Sequence, residues 1–348
     1  MPKSQILNAS VTDSTLTTTK LATPNLGRRN LVINGAMQVA QRGTSFTGVG
    51  NGDNGYKLDR FKFAESGEPN GEFTITQASD GPNGFANSMK LDCTTAETSL
   101  AGNEMIRIIQ GNEGQNLQHL KKGTSDAESL TLSFYVKSNL TGTAVVGLYD
   151  NDNGRYNARA YTIDSANTWE RKVLTFQGDT TGTLTNDNGL SMEVWFYLQA
   201  GGNKTSGTLP SNWEALVEAN SAPGQTINIA SSTDNEFFIT GIQMEVGSQA
   251  TPFEHRSYGE ELALCQRYFI EDDTVYRAYT NAPADNGSRA CNFYFPTIMR
   301  AAPSMTAAVD AGTVTFSSRT INGIAMTIGG SVSGNTTFTS GYTADAEL

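Results

Sequence analysis

The stretch ATPFEHRSYGEELALCQRYF, from Ala250 to Phe269, gathers Glu254, His255, Arg256, Glu260, Glu261, Cys265 and Arg267. A cysteine beside a histidine that takes its proton is the pairing thiol catalysis needs. The spacing argues against it here. Ser257-Tyr-Gly-Glu260 matches a capping box, in which the Ser257 hydroxyl accepts from the Glu260 amide while the Glu260 side chain reaches back. Pro252 just upstream favours an extended approach to the helix. Tyr258, Leu262, Cys265 and Phe269 then follow at steps of four, three and four, one apolar stripe on about three helical turns. Cys265 falls in that stripe, where a thiol behaves as a small hydrophobe. Residues ten apart on a helix stand roughly 15 Å apart, so His255 is out of reach. His119, the other histidine, lies in a polar stretch, and triad chemistry has little to build on. Ser257, Glu260, Leu262, Cys265 and Phe269 therefore read as a structural joint. Glu260, Glu261 and Arg267 fall elsewhere around the helix, and Glu254 and Arg256 are expected in surface or interface ion pairs.

DNG recurs at 53–55, 152–154, 187–189 and 285–287. Asp150 and Asp152 have the alternate spacing of a calcium loop, but Gly154 comes one place too early for an EF-hand and the closing glutamate is missing. A type I′ hairpin turn at 152–154 is the expectation, because Asn-Gly supplies the positive φ it requires. Cys93, Cys265 and Cys291 lie far apart and show neither a disulfide framework nor zinc-ligand spacing. No catalytic residue, metal or cofactor is indicated.

The elements that would position any site are β-strands. LTLSFYVKS (Leu130–Ser138) puts Leu130, Leu132, Phe134 and Val136 on one face and Thr131, Ser133, Tyr135 and Lys137 on the other. SMEVWFYLQ repeats the alternation, with Met192, Val194, Phe196 and Leu198 against Glu193, Trp195, Tyr197 and Gln199. Period two of this kind marks half-buried antiparallel strands. Further strands are expected near Phe73–Gln77, Met105–Ile109, Thr143–Tyr149, Asn157–Ile163, Trp169–Phe176 and Phe238–Val246. Many strands without alternating helices imply two packed sheets, a mainly β antiparallel jelly-roll sandwich over 30–256. A connecting helix over 257–270 leads to a second, small C-terminal β domain over 271–348, with strands in FYFPTIMR, GTVTFSS and GIAMTIGG. Loops such as Thr280–Arg289 are natural contact sites there. The first 29 residues are Ser/Thr-rich with isolated Val11, Leu16 and Leu21, and cannot bury a core. They read as an extended arm that orders against other copies or a docking partner.

Bulk composition narrows the function. A formal net charge of −11 with scattered Lys and Arg disfavours nucleic acid as a partner. The start lacks the apolar core of a signal peptide, and no apolar run approaches membrane-spanning length, so a soluble chain made in a cytoplasm without membrane insertion is expected.

EVGSQATPFEHRSYGEELALCQRYF resembles a segment of many bacteriophage tail-fibre and other virion structural proteins, in which a strand ends at an E-V-G-x-x-A-T-P-F-E turn and leads into an E-L-x-L-C-x-R-Y helix. RRNLVINGAMQVAQRGTSF with the later LDRF resembles the start of the same family's domain. LTLSFYVKS with NTWERKVLTF resembles its carbohydrate-binding-module-like sandwich, and PTIMRAAPSM and GYTADAEL are similar to its C-terminal segments. The resemblance implies a virion tail protein synthesised in a host bacterial cytoplasm. It further implies a homotrimer attached to other phage tail proteins through its arm, and it carries over no catalytic residue.

A sandwich of that kind directs attention to aromatic platforms, since flat rings pack on the apolar face of a sugar while polar neighbours hold its hydroxyls. Trp195, Tyr197 and Tyr135, with Lys137, Glu193 and Gln199, are the candidate contacts for a host cell-surface glycan. The alternative is that these rings pack against a neighbouring subunit or an overlying loop. Tyr149, Tyr156 and Tyr161 around the 152–154 turn form a second candidate. The leading function is a non-enzymatic tail component that mediates host attachment. The competing readings are a tailspike-like polysaccharide-degrading enzyme, whose carboxylate pair spacing does not reveal, and a capsid-decorating or tail-adaptor protein.

Overall fold

The computed structural model describes residues 28–280, 289–309, 313–329 and 336–348. The N-terminal arm to residue 27, the 285–287 DNG and most of the Thr280–Arg289 loop lie outside them. Chain order is β1 (Ser45–Gly50), β2 (Gly55–Tyr56), β3 (Lys62–Ser66), β4 (Glu72–Ala78), β5 (Ser88–Thr95), β6 (Met105–Glu113), β7 (Leu130–Ser138) and β8 (Gly142–Asp150). Then come β9 (Arg155–Ile163), β10 (Glu170–Phe176), β11 (Leu190–Ala200), α1 (Gly202–Thr205), β12 (Glu214–Ala215) and β13 (Glu236–Val246). Helix α2 (Tyr258–Gln266) leads into β14 (Phe269–Thr280), β15 (Arg289–Tyr294), β16 (Ser304–Val309), β17 (Thr313–Ser317), β18 (Gly323–Gly329) and β19 (Thr336–Asp345).

The strands up to β13 form two antiparallel sheets, in the orders β1-β4-β5-β13-β7-β10 and β12-β9-β8-β11-β6-β3-β2. The chain crosses repeatedly between them, as in a jelly-roll sandwich. Leu130, Leu132, Phe134 and Val136 from one sheet meet Met192, Val194, Phe196 and Leu198 from the other in one buried core. The alternation in LTLSFYVKS and SMEVWFYLQ therefore names the core face directly. In β13 it is interrupted. Gly241 at φ +60 shifts the register, so that Ile239 and Ile242, three apart, both point inward.

The strands after α2 form two three-stranded sheets, β14-β19-β16 and β15-β18-β17, around a separate cluster that includes Ile270, Phe295, Met299, Ile324, Met326 and Tyr342. In FYFPTIMR only Phe293 and Tyr294 belong to a strand. Pro296 lacks the amide that a ladder needs, and β15 stops before it.

Three local expectations are corrected. The 152–154 turn is not a two-residue I′ turn, because Asp150 pairs with Arg155 and only Gly154 has positive φ. The Asp150 carboxylate instead organises a longer loop, accepting from the Asn153 amide at 3.0 Å. Helix α2 ends at Gln266, so Phe269 starts β14 rather than ending the helical stripe. Tyr258, at 58% exposure, lies in solvent, while Glu261 is buried beside Cys265. Polar partners decide this rotation. The Glu261 carboxylate accepts from the Asn34 amide and from Arg256 Nη1, the latter at 3.3 Å.

Candidate functional site

The sandwich alternation leaves two outer faces, and the six predicted glycan contacts divide between them. Glu193, Trp195, Tyr197 and Gln199 lie on β11 in the seven-stranded sheet, and Tyr135 and Lys137 on β7 in the other. They make no common platform.

The β11 group is covered. Trp195 is 7% exposed, and Tyr197 and Gln199 are fully buried. The segment between β11 and β13 folds back over this face, and Trp195, Tyr197, Tyr156, Val145 and Ala222 form a second apolar layer, with Leu209 and Leu216 packed on it. Several polar groups pair inside the layer: the Tyr156 hydroxyl donates to Ser221 O at 2.6 Å, and Gln225 Nε2 donates to the Tyr197 carbonyl at 3.2 Å. Gly147 makes room for the Tyr156 side chain, since a Cβ there would lie 2.2 Å from its hydroxyl and 2.3 Å from its ring. Trp195 Nε1 donates to Glu193 at 3.0 Å, and Tyr149 stacks on the indole at 4.6 Å. Tyr161 points into the sandwich core, edge-on to Phe134 at 5.0 Å. Trp195, Tyr197, Gln199, Tyr156 and Tyr161 are thus structural, and an overlying loop is what covers the first three.

The other outer face is half open. Phe85, from the loop after β4, packs on Tyr135 at 5.3 Å, Phe253 at 5.0 Å and His255 at 5.2 Å. All three aromatics are half-buried and His255 is exposed. Lys137 stands between Phe238 and Trp169, its Nζ at 4.1 and 5.3 Å from their ring centres. It pairs with Asp80, whose other oxygen accepts from Trp169 Nε1 at 3.1 Å. The hydrogen bond from Lys137, helped by that from Trp169, holds the Asp80 carboxyl below the usual aspartate range. Lys90, beside Phe238, contacts Glu236 at 2.5 Å and Asp92 at 3.4 Å. Burial pulls its pKa down, but these carboxylates more than offset that and hold it raised.

Two devices position the row. Gly241 leaves space for both rings, since a Cβ at this residue would lie 2.8 Å from Phe85 and 2.9 Å from Tyr135. The segment after β13 is pinned by Glu245, which accepts from Thr251 N at 2.8 Å, and by Gln243, which accepts from Glu254 N at 2.8 Å. This presents Phe253 and His255 beside Phe85, and it buries Thr131 and Ser133 at the other end of β7. Phe85, Trp169, Phe238 and Asp80 were missed from sequence. Trp169 and Phe238 each opened an expected strand, but neither was assigned to an outer face.

The opening cluster is a charged clasp. Ser257 caps α2 reciprocally with Glu260. Glu254 and Arg256 do pair, at 3.8 Å, but the pair is largely buried between segments rather than on the open surface. Arg256 lies 3.3 Å from Glu261 and donates to the carbonyls of Val32 and Asn30, while Glu254 accepts from Asn30 N at 2.6 Å. Arg267 donates twice to Glu113 at 2.7 Å, and the Tyr268 hydroxyl donates to the same carboxylate at 2.5 Å. Arg60 stacks on Tyr268 at 3.4 Å and pairs with Glu347, and Arg42 lies over Phe269 at 3.5 Å. RRNLVING, LDRF, the helix segment and the terminal AEL therefore meet in one place. Burial raises the Cys265 thiol well above its ordinary pKa, the reverse of what a nucleophile needs. A cleft of about 630 Å³, lined by Arg28, His255, Glu260, Leu264 and Ile298, adjoins the clasp. Among the described residues no cluster of His, Cys, Asp and Glu is arranged to hold a metal ion, and no helix is long and apolar enough to cross a membrane.

No protein-family model matches the chain, and no curated protein does. Among solved structures it is similar to the enzymatically active domain of tailspike protein 4 from bacteriophage CBA120, at 13% identity and a TM-score of 0.33, covering 62% of this chain and 21% of that one. It is also similar to the family 11 carbohydrate-binding module of a Clostridium thermocellum cellulosomal cellulase, at 13% identity and a TM-score of 0.29, covering 60% and 96%. The N-terminal cellulose-binding domain of Cellulomonas fimi β-1,4-glucanase C is similar at 11% identity and a TM-score of 0.29, covering 54% and 90%. The chain spans about a fifth of the tailspike chain that it matches.

Proposed function

We propose that the chain is a non-enzymatic structural component of a bacteriophage tail. In this reading it acts as a homotrimer that attaches the virion to a host-surface glycan through the open face of the six-stranded sheet. Its N-terminal arm joins it to other tail proteins. The observation that carries the glycan reading is the row of half-buried rings, Phe253, Phe85, Tyr135 and Trp169, interleaved with Lys137, Asp80 and Lys90. Such a surface offers ring faces for stacking and charged groups for hydroxyls. The tail assignment rests on the sequence resemblance of the clasp segments, which the fold brings together. Modest affinity at one shallow face becomes firm attachment when several copies act at once.

A hydrolytic reading is disfavoured by the same face. A glycosidase needs one carboxyl kept protonated, with its pKa raised. Asp80, the carboxylate at the centre of the row, is held low and occupied by Lys137 and Trp169.

The test is binding of the purified full-length chain to host envelope polysaccharide, comparing wild type with Trp169→Ala and Tyr135→Ala. Each variant is expected to weaken binding about tenfold, the effect of losing one well-packed ring. Undiminished binding by both variants, or steady release of reducing ends from the polysaccharide, would refute the proposal.

A further inference from the structure

We infer that the open face of the six-stranded sheet selects uncharged glycans and discriminates against acidic ones, an inference that rests on the glycan-binding reading above. The ground is the disposition of charge around the rings. Lys137 is held by Asp80, and Lys90 by Glu236 and Asp92. Two lysines thus face three carboxylates. Arg171, opposite Tyr135 on the edge strand β10, lies three strands from β5 and bonds instead to Thr251 O at 3.1 Å.

A sugar hydroxyl needs no free charge. It donates to the outer lone pairs of Asp80, Asp92 or Glu236 and accepts from the remaining ammonium hydrogens, leaving each ion pair intact. A uronate or other glycan carboxylate does need one. To reach the Lys137 ammonium it must displace Asp80, which also breaks the hydrogen bond from Trp169 and disturbs the ring on which stacking depends. To approach without displacing it, the ligand must sit beside three carboxylates set against only two lysines, on a chain whose net charge is −11. Selectivity of this kind comes from a built-in repulsion more than from an added contact.

The experiment uses the full-length chain with glucans, galactans and mannans and the same polymers oxidised to uronates, at low and high salt. Wild type is expected to bind at least one neutral polymer about tenfold more tightly than its oxidised form. Its affinity for the neutral form should change by less than about twofold with salt, since no ion pair forms with the ligand. Asp80→Asn keeps an acceptor for Trp169 but frees the Lys137 charge. It should improve binding of the oxidised polymer and make that binding salt-sensitive. Equal or tighter wild-type binding of the oxidised polymer, lost in Arg171→Ala, overturns the selectivity and leaves the glycan reading standing. Failure to bind any polymer in either form overturns both.

Discussion

Replacing Glu113 by Gln tests whether the clasp between the sandwich and the C-terminal sheets is electrostatic. Glu113 ends β6 with a fully buried side chain, and it accepts from Arg267 twice, from Tyr268 and from Gln115. Burial alone would raise its pKa, but the hydrogen bonds from Arg267 and Tyr268 outweigh that and hold the carboxyl below the usual glutamate value. Removing one member of a buried ion pair typically costs about 3–5 kcal/mol. Arg267 retains 26% exposure, so water restores part of its solvation, which places the loss near the lower end, about 3 kcal/mol. That is roughly 150-fold in the unfolding equilibrium. The sign of the pH dependence follows from the depressed pKa. As pH falls through the ordinary glutamate range, the unfolded chain takes up the proton first, so wild-type stability declines. The variant lacks this titration, and the gap between the two should narrow in acid. Urea denaturation at neutral and acid pH, followed by tryptophan fluorescence and circular dichroism, measures both quantities. A neutral-pH gap below about 1 kcal/mol, or one that persists unchanged in acid, refutes the account.

Three further outcomes are expected. Trp195→Ala should destabilise the sandwich by about 3–5 kcal/mol, the range for large aromatic truncations in a core, while folded protein keeps its glycan affinity; urea midpoints and binding isotherms separate the two effects. Ser257→Ala should cost about 1 kcal/mol through loss of the N-cap, seen as faster amide exchange in the first turn of α2. Gly241→Ala forces a Cβ against Phe85 and Tyr135 at a positive φ, so it should weaken glycan binding more than its modest loss of thermal stability explains.

What was legible in the sequence follows one physical rule. Alternate residues of a strand face opposite ways, so Leu130–Val136 and Met192–Leu198 identified the inner faces without any knowledge of strand order. The capping box at Ser257 and Glu260 was equally local, since both partners lie within one helical turn. Glu261 and Phe269 were misplaced because their partners, Asn34 and Arg42, are more than two hundred residues away in the chain.

The chain by itself determined that two sheets would close on an apolar interior and that a capped helix would follow. Only the tertiary structure decided what became of the outward residues. Trp195-Phe-Tyr197 and Tyr135-Val-Lys137 show the same alternation, yet a returning loop buries the first pair and leaves the second at the surface. The same holds for charge. Whether Lys137 is a free cation depends on Asp80, which a separate loop delivers. Periodicity reports which side of a strand a residue takes, and only the packing of distant segments reports what lies on that side.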